Sequence, residues 1–404
     1  MTKSVRLLTD GEATAAVLRT QSEVEARIRA ICFKTGPPAL MGAELEWTLH
    51  HTVAPSAPLT AGKLRQALGP HTPVTLKPPG DLSPPQPLPA GSTVTVEPGG
   101  QVEISSAPAA TLADLHAAVS ADTAHLTALL GSAGLTLGRH GIDPHRAPRR
   151  LVHTPRYDAM EQSFDARGPD GRVMMNSTAG LQACLDAGHE ADLALRWATV
   201  SALGPPLLAA FANSRRHAGR DTGFASARMA TWWAMDPRLT HPVGVSDDPA
   251  GDWVRYALAA PLTCVRRDGG CWATPPGTTL GDWARGALPL PLTTDDVDYH
   301  LTTLFPPVRP HGYLEVRYLD AQPAGDWFAP VAVLATLLAD PATTAAALDL
   351  AQPVADRWEA AYRCGLQDAA LRRAATAVLD LAARRLEPGP LQAGVLDSIE
   401  RKLR

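Results

Sequence analysis

The sequence predicts an α+β fold: an antiparallel sheet with helices around it and a helical C-terminal part. Three observations carry this. Apolar and polar residues alternate over 43–49, 174–186 and 312–319, the two-residue period of a strand with one buried face. Apolar side chains recur at helical spacing over 10–31 and 111–130. From 328 to 386 the chain is rich in alanine, leucine and arginine, a composition suited to helices packed against the rest.

In chain order, residues 10–31 read as a helix with Thr9 or Asp10 as its cap and Val17, Val24, Ile28 and Ile31 on its apolar side. A strand follows in which Ala43, Leu45, Trp47 and Leu49 alternate with Glu44, Glu46 and Thr48. Residues 69–91 are dense in proline and glycine and predict an ordered surface loop. Short strands at 93–97 and 101–105 flank Pro98-Gly99-Gly100, and a helix over 111–130 carries Leu112, Leu115, Val119, Leu126 and Leu129. The alternation over 174–186 puts Thr178, Gly180, Gln182, Cys184 and Asp186 on one side. Helices are expected at about 190–213, broken at Pro205-Pro206, at 249–259 and at 295–304, before a strand at 312–319. With no repeats and no modular linkers, residues 1–404 read as one unit: a sheet-and-helix part over 1–325 and a helical part over 326–404.

Charge and composition exclude several classes. The 404 residues carry 37 basic and 41 acidic side chains, a net charge of −4, and only 5% aromatics. That balance gives no electrostatic reason to expect a nucleic-acid groove or a bilayer surface. No stretch approaches the ~18 uninterrupted apolar residues of a membrane span, and the N-terminus shows no secretory pattern, so the expected location is cytoplasmic. Cys32, Cys184, Cys264, Cys271 and Cys364 form an odd set without CxxC spacing, which suits free thiols in a reducing compartment. Cys264 and Cys271 flank Asp268-Gly269-Gly270 and could pair across a hairpin.

The informative pattern is acid on strands. Glu44 and Glu46 are two residues apart and share a face, as do Gln101 and Glu103, while Glu97 precedes the Pro-Gly-Gly turn. Glu315 and Arg317 share a face of their strand, opposite Leu314, Val316 and Tyr318. For one strand this is the solvent side of an amphipathic sheet. Glutamate is depleted in strands, however, and three strand regions repeat the choice. Like charges gathered on one face repel unless cations neutralise them. Carboxylate oxygens are the ligands Mg²⁺ favours, with phosphates completing its shell. There is no GxxxxGK[ST] loop, so phosphates would be held by metals and arginines. Glu315 therefore reads as a functional residue and not a core one.

Several blocks carry a family resemblance: GAELEW at 42–47, VEPGGQVEISS at 96–106, RYDAM at 156–160, MMNSTAGLQACLD at 174–186 and HLTTLFPPVRPHGYLEVRYLD at 300–320. In this order they resemble the glutamate–cysteine ligases of the plant and proteobacterial class. GFASARMATWWAMDP at 223–237 and WVRYALAAPLTCVRR at 253–267 are more similar to the shorter actinobacterial members, some of which serve ergothioneine synthesis. The resemblance covers about 40–325. It implies a glutamine-synthetase-like fold, a curved antiparallel sheet forming a cup with helices outside. It also implies ATP, Mg²⁺, L-glutamate and L-cysteine as ligands, with transfer of the γ-phosphoryl group to glutamate's side chain and attack by the cysteine amine. By position, Glu44, Glu46, Glu97, Glu103 and Glu315 match the family's metal-facing acids, and Gln182 a Gln or His at the metal cluster. Arg317 matches the arginine near the transferred phosphoryl group, and Arg156 and Arg228 match arginines that meet substrate carboxylate or phosphate. Cys184 departs from the resemblance, standing where an asparagine is expected.

Other residues read as structural: His300, the His50-His51 strand end, the His140/Asp143/His145 turn, Trp232-Trp233 and Trp253 in the core, and the Arg372-Arg373 and Arg384-Arg385 pairs on a wet helix face. The competing functions are a ligase of the same fold with another amine acceptor, a two-metal hydrolase, and a non-catalytic nucleotide- or metal-binding protein. The oligomeric state is not legible in the sequence.

Overall fold

The structure, a computed structural model, describes residues 15–404. Among the described residues the central sheet has six strands: β1 (Met41–Trp47), β2 (Thr93–Val96), β3 (Val102–Ser105), β4 (Gly180–Asp186), β5 (Val308–Pro310) and β6 (Tyr313–Asp320). Their spatial order is β5-β6-β4-β1-β3-β2, and every neighbouring pair is antiparallel. Helices surround the sheet and make up the C-terminal part, so the expected α+β class is what the chain forms.

Alternation decides what each face does. Leu45, Trp47, Ile104, Leu181, Leu314 and Val316 point to one side and are buried. They pack toward the helices Leu112–Ser132, Gly204–Phe211 and Phe328–Leu337. Each such side chain contributes roughly 1.5–3 kcal/mol by leaving water. The intervening positions point the other way, and the register sets who meets whom there. Glu44 lies opposite both Ser105 and Gln182, Glu46 opposite Glu103, and Cys184 opposite both Gly42 and Glu315. Directly paired residues share a face, so one set of polar side chains covers one side of the sheet.

The C-terminal part follows the same logic with a helical period. Phe328–Leu337 is apolar nearly all round and nearly all buried, as a helix without a polar stripe must be. Ala369–Arg385 buries Leu371, Ala375, Val378, Leu379 and Ala382 and leaves Arg372, Arg373, Arg384 and Arg385 exposed. Among the described residues no single helix is long and apolar enough to cross a membrane.

Several boundaries differ from the sequence reading. The first described helix begins at Gln21, because Thr20 and Glu23 form a reciprocal capping box. Val17 sits instead in a two-residue strand, Val17–Leu18, paired with Leu292–Thr293. Thr9 and Asp10 lie outside the described residues. The strand expected over 174–186 starts only at Gly180, since Asp170–Ser177 is a helix that buries Gly171, Met174 and Met175 at spacings of three and four. The break within 190–213 falls at Leu203, and Pro205-Pro206 occupy the first turn of the next helix, where a missing N–H costs nothing. The alternating run after Met41 splits at Thr48, and Leu49–His51 pairs separately with Leu135–Leu137. All five cysteines are free, so the Cys264–Cys271 bridge does not form.

Candidate active site

Glu44 and Glu46 reach the polar face from β1, Glu103 from β3, Gln182 from β4, and Glu315 and Arg317 from β6. Glu97 arrives by a turn. Its N–H donates to the carbonyl of Gln101 (2.8 Å) and its carbonyl accepts from Gly100 N–H (2.8 Å), closing the hairpin between β2 and β3. Gly99 in that turn presses on the end of the helix Asp170–Ser177: a Cβ there would lie 2.0 Å from the Asn176 carbonyl oxygen. The Pro98 carbonyl accepts from Leu151 and Val152 N–H (2.7 and 2.9 Å), so the turn is fixed from two sides. Gln101 does not share the acid face as expected. It is buried, and its amide donates to the Thr178 carbonyl (2.8 Å), because it belongs to the turn and not to the strand.

Two of the acids are held by partners. Glu46 accepts from Gly180 N–H (2.6 Å) and from the Gln182 amide (3.0 Å), bracing β1 against β4. Glu315 is 1% exposed and lies between two arginines. Arg309 grips it through Nε (2.5 Å) and Nη2 (2.9 Å), and Arg317 Nη1 donates to it at 3.1 Å. Burial pushes the Glu315 carboxyl upward, but Arg309 and Arg317 more than offset this and hold it at about 2. The reading of Glu315 as functional and not core is thereby corrected, since it is also a buried charge that two guanidinium groups depend on.

The other three acids lack such compensation. Among the described residues, Glu315 is the one of these five glutamates that takes part in an ion pair. Burial, with the charge of Glu315 added, raises Glu44 to about 7 against the partial relief of Arg317 and Arg309. Burial and the charge of Glu46 raise Glu97 to about 7, partly relieved by Arg156 and Arg317. Glu103 is raised well above the carboxylate range by burial and by Glu44, Glu46 and Glu97, with hydroxyl contacts from Thr95 (2.8 Å) and Ser105 (3.4 Å). Crowded and half-buried, these acids ionise together only if cations offset their charge.

The arginines have distinct settings. Arg317 donates to Gln182 Oε1 (2.5 Å) as well as to Glu315, while its buried Nε has no hydrogen-bond partner among the described residues. Its guanidinium lies 5.8 Å from the Trp232 ring centre, so Trp232 supports the site from the core. Arg228 is buried, with its guanidinium also over Trp232 (5.5 Å), and donates to the Arg317 carbonyl (2.9 Å). A Cβ on residue 180 would meet Arg228 at 2.5 Å, so Gly180 is what lets Arg228 pass beneath β4. Arg228 thus steadies the strand behind Arg317. Arg156 donates to the Thr302 hydroxyl (2.9 Å) and carbonyl (3.0 Å) and faces Tyr299 at 5.1 Å.

Arg309 escaped the sequence reading. It faces Glu315 directly across the turn at His311-Gly312, where Gly312 has φ +79°. Recognising that turn would have paired opposite charges six residues apart. The His50-His51 pair was expected as a solvated strand end, and this is corrected for His50: it is buried and contacts Asp143 (3.2 Å), which also accepts from His145 N–H (2.9 Å) and Arg146 Nε (2.8 Å). His300 is buried against the Ala257 carbonyl (3.1 Å), and burial lowers it to about 4.

The glutamates spread across the face without closing into a cage: among the described residues no three His, Cys, Asp or Glu side chains stand as a ready metal site.

Residues 40–400 match the model of glutamate–cysteine ligase family 2 (GCS2). The chain is 43% identical over 309 residues to glutamate–cysteine ligase EgtA of Mycobacterium tuberculosis, covering 74% of this chain and 72% of that one. Against EgtA of Mycolicibacterium smegmatis the identity is 44% over 305 residues, with the same coverage of 74% and 72%. A solved glutamate–cysteine ligase from Francisella tularensis, in complex with AMP, aligns with 92% of this chain and 83% of its own at 13% identity and a TM-score of 0.49.

Proposed function

The chain belongs to glutamate–cysteine ligase family 2, and from that premise we propose that its acidic sheet face is where the family's reaction takes place. The reaction joins the side-chain carboxylate of L-glutamate to the amine of L-cysteine at the expense of ATP, giving γ-glutamylcysteine. One observation carries the placement: Glu44, Glu97 and Glu103 are half-buried and raised above the carboxylate range, beside an arginine with hydrogen-bonding capacity left.

The donor set fits Mg²⁺, which takes carboxylate oxygens and keeps sites for water and phosphate. One or two of Glu44, Glu97 and Glu103 would hold it, with Glu46, Gln182 and Glu315 beside them. Bound there, Mg²⁺ would supply neutralisation of phosphate charge.

The chain's own residues do the rest. A carboxylate does not react with an amine at neutral pH, so a phosphoryl group must first make its oxygen a leaving group. Arg317 is fixed by Gln182 and Glu315, and we assign its remaining N–H groups to the transferred phosphoryl oxygens. Preorganised donors of this kind need no reorganisation as charge develops, and removing one in a comparable site costs ~2.7–4 kcal/mol. Glu315 and Arg309 keep Arg317 oriented, and Arg228 holds its backbone. Arg156 stands on the Glu97 side, anchored at Thr302, and we assign it to a substrate carboxylate or phosphate.

We further propose that residues 1–404 act as one unit, catalytic over 1–325 and supported by 326–404; a buried core running from Val24 to Ile399 supports this. A cytoplasmic location is proposed from the need for ATP and reduced cysteine, and entry of the product into a thiol pathway such as that of ergothioneine from the resemblance to actinobacterial members. The test is incubation with glutamate, cysteine and ATP, with mass detection of the product. The expected result is γ-glutamylcysteine in step with ADP, abolished by Glu97→Gln. Full activity in Glu97→Gln would remove the acid face from the reaction.

A further inference from the structure

Toward its C-terminal end β6 departs from simple alternation. Between Val316 and Leu319 its register with β4 slips by one residue. Arg317 and Tyr318 are left without partners on β4, Leu319 meets Leu181, and Asp320 meets Gly180. An extra residue of this kind is a bulge, which bends the strand and leaves ladder groups unpaired. The Arg317 carbonyl finds its donor elsewhere, in Arg228 Nη2 (2.9 Å). The slip also moves Asp320 to the other side of the sheet. A two-residue period counted from Val316 would set it among the apolar side chains, but its pairing puts it in file with Gly180, Gln182 and Cys184.

Asp320 is 0% exposed there, and both of its carboxylate oxygens are engaged. Oδ1 accepts from Ser226 Oγ (2.9 Å), and Oδ2 accepts from Ser214 Oγ (2.7 Å) and Asn213 N–H (2.7 Å). The two hydroxyls pass this hold to the helix Ala227–Ala234. Ser226 Oγ accepts from Met229 N–H (3.1 Å) as the N-cap, and Ser214 Oγ accepts from Arg228 N–H (3.1 Å). Among the described residues the acid within ion-pair distance of Arg228 is Asp320, with Oδ1 3.9 Å from Nη1. Burial raises the Asp320 carboxyl and lowers Arg228, and each is the other's chief relief. A Cβ on residue 141 would lie 2.8 Å from Asp320 Cβ, so the chain at Gly141 closes over the carboxylate from a further side.

Resting on the assignment of Arg317 to the transferred phosphoryl group, we propose that Asp320 is a positioning residue for the ligation, holding Arg228 and, through it, the bulge from which Arg317 extends. With no exposed surface it touches no substrate. It acts by charge, because a buried guanidinium left without its carboxylate is strongly disfavoured. It also acts by hydrogen bonds, because the two serines fix the first turn of the helix that carries Arg228 and Trp232. The Trp232 ring lies 5.5 Å from the Arg228 guanidinium and 5.8 Å from that of Arg317, so a shift of this helix reaches Arg317 from below as well as through its backbone.

The experiment is a double-mutant cycle on the full chain: wild type, Asp320→Asn, Arg317→Lys and the pair, with kcat and the KM of ATP, glutamate and cysteine measured for each. Asparagine keeps the size and an acceptor oxygen but removes the charge. A displacement of ~1 Å at a group that meets the transition state can cost about 100-fold in rate. The expected result for Asp320→Asn is a kcat lower by roughly 10- to 100-fold, with every KM within about twofold of wild type. In the Arg317→Lys background the same substitution should lower kcat by no more than about twofold, since the group it positions is already gone. A residue that only supports the fold would lower kcat equally in both backgrounds, and that result would overturn the proposal. So would a normal kcat in Asp320→Asn, or a raised KM with kcat unchanged. If Asp320→Asn does not fold, Ser226→Ala takes its place in the cycle under the same criteria, because it cuts the link to the helix and leaves Arg228 its carboxylate. Arg317→Lys alone separates the two levels. A normal kcat there removes Arg317 from the phosphoryl group, whereas a large loss there with additive Asp320→Asn fails the positioning role alone.

Discussion

Two glutamates on one sheet face end up with opposite acid–base character. Glu44 is raised to about 7 and Glu315 is held at about 2, although Glu315 is the more buried of the two. The difference is Arg309, which grips Glu315 with two hydrogen bonds and reaches Glu44 only through its field. The pH dependences of stability therefore have opposite signs. A raised folded pKa means that, between about 4.5 and 7, the metal-free folded chain holds more protons than the unfolded one. Glu44 and Glu97 thus withdraw stability as pH rises through that window, and the loss is complete above it. Glu44→Gln should abolish turnover yet stabilise the metal-free fold at pH 8, by up to about 3 kcal/mol, and leave it unchanged at pH 4. Denaturant melts at the two pH values decide this. Glu315 contributes stability above about 4.5 that is lost as pH falls toward about 2. Glu315→Gln leaves Arg309 and Arg317 buried without their carboxylate and should cost about 3–5 kcal/mol at pH 7. Arg317→Lys keeps the charge but not the planar fork of donors, so kcat should fall far more than ATP KM rises. A variant with normal kcat and raised ATP KM would make Arg317 a ground-state binder.

Elements were legible where a single period ran uninterrupted. The alternation in β1, β4 and β6 announced both the apolar face and the acid face, and Gly180 onward in the 174–186 run was read with the right sides. What failed was the join, because Asp170–Ser177 is helical and the nearest glycine, Gly180, is already the first residue of the strand. Arg309 stayed hidden for a related reason: its role depends on a turn pairing β5 with β6, and β5 has only three residues. Turns place residues as firmly as strands do. Gly99→Ala would put a methyl carbon 2.0 Å from a backbone oxygen that cannot move without shifting the helix Asp170–Ser177. Overpacking of this kind costs typically 1–3 kcal/mol, and Glu97 would move with the turn. We expect a lowered melting temperature together with lost activity; normal activity would show that Glu97 does not need its present position.

At the scale of the molecule, the sheet keeps one face for packing and one for charge, and helices from the start, middle and end of the chain cover the first. The five cysteines are free and form no cross-link, so reducing agent should leave the melting temperature unchanged. The central claim is that the second face binds the divalent cation of an ATP-dependent ligation. Calorimetric titration of Mg²⁺ into the protein with ADP present, repeated in buffers of different ionisation enthalpy, tests it most directly. At pH 7 the carboxylates raised to about 7 must shed protons to bind metal. The account predicts proton release on binding in wild type, and affinity lower by at least ~10-fold in both Glu44→Gln and Glu97→Gln. Unchanged affinity in both variants, with no proton released in wild type, would contradict it.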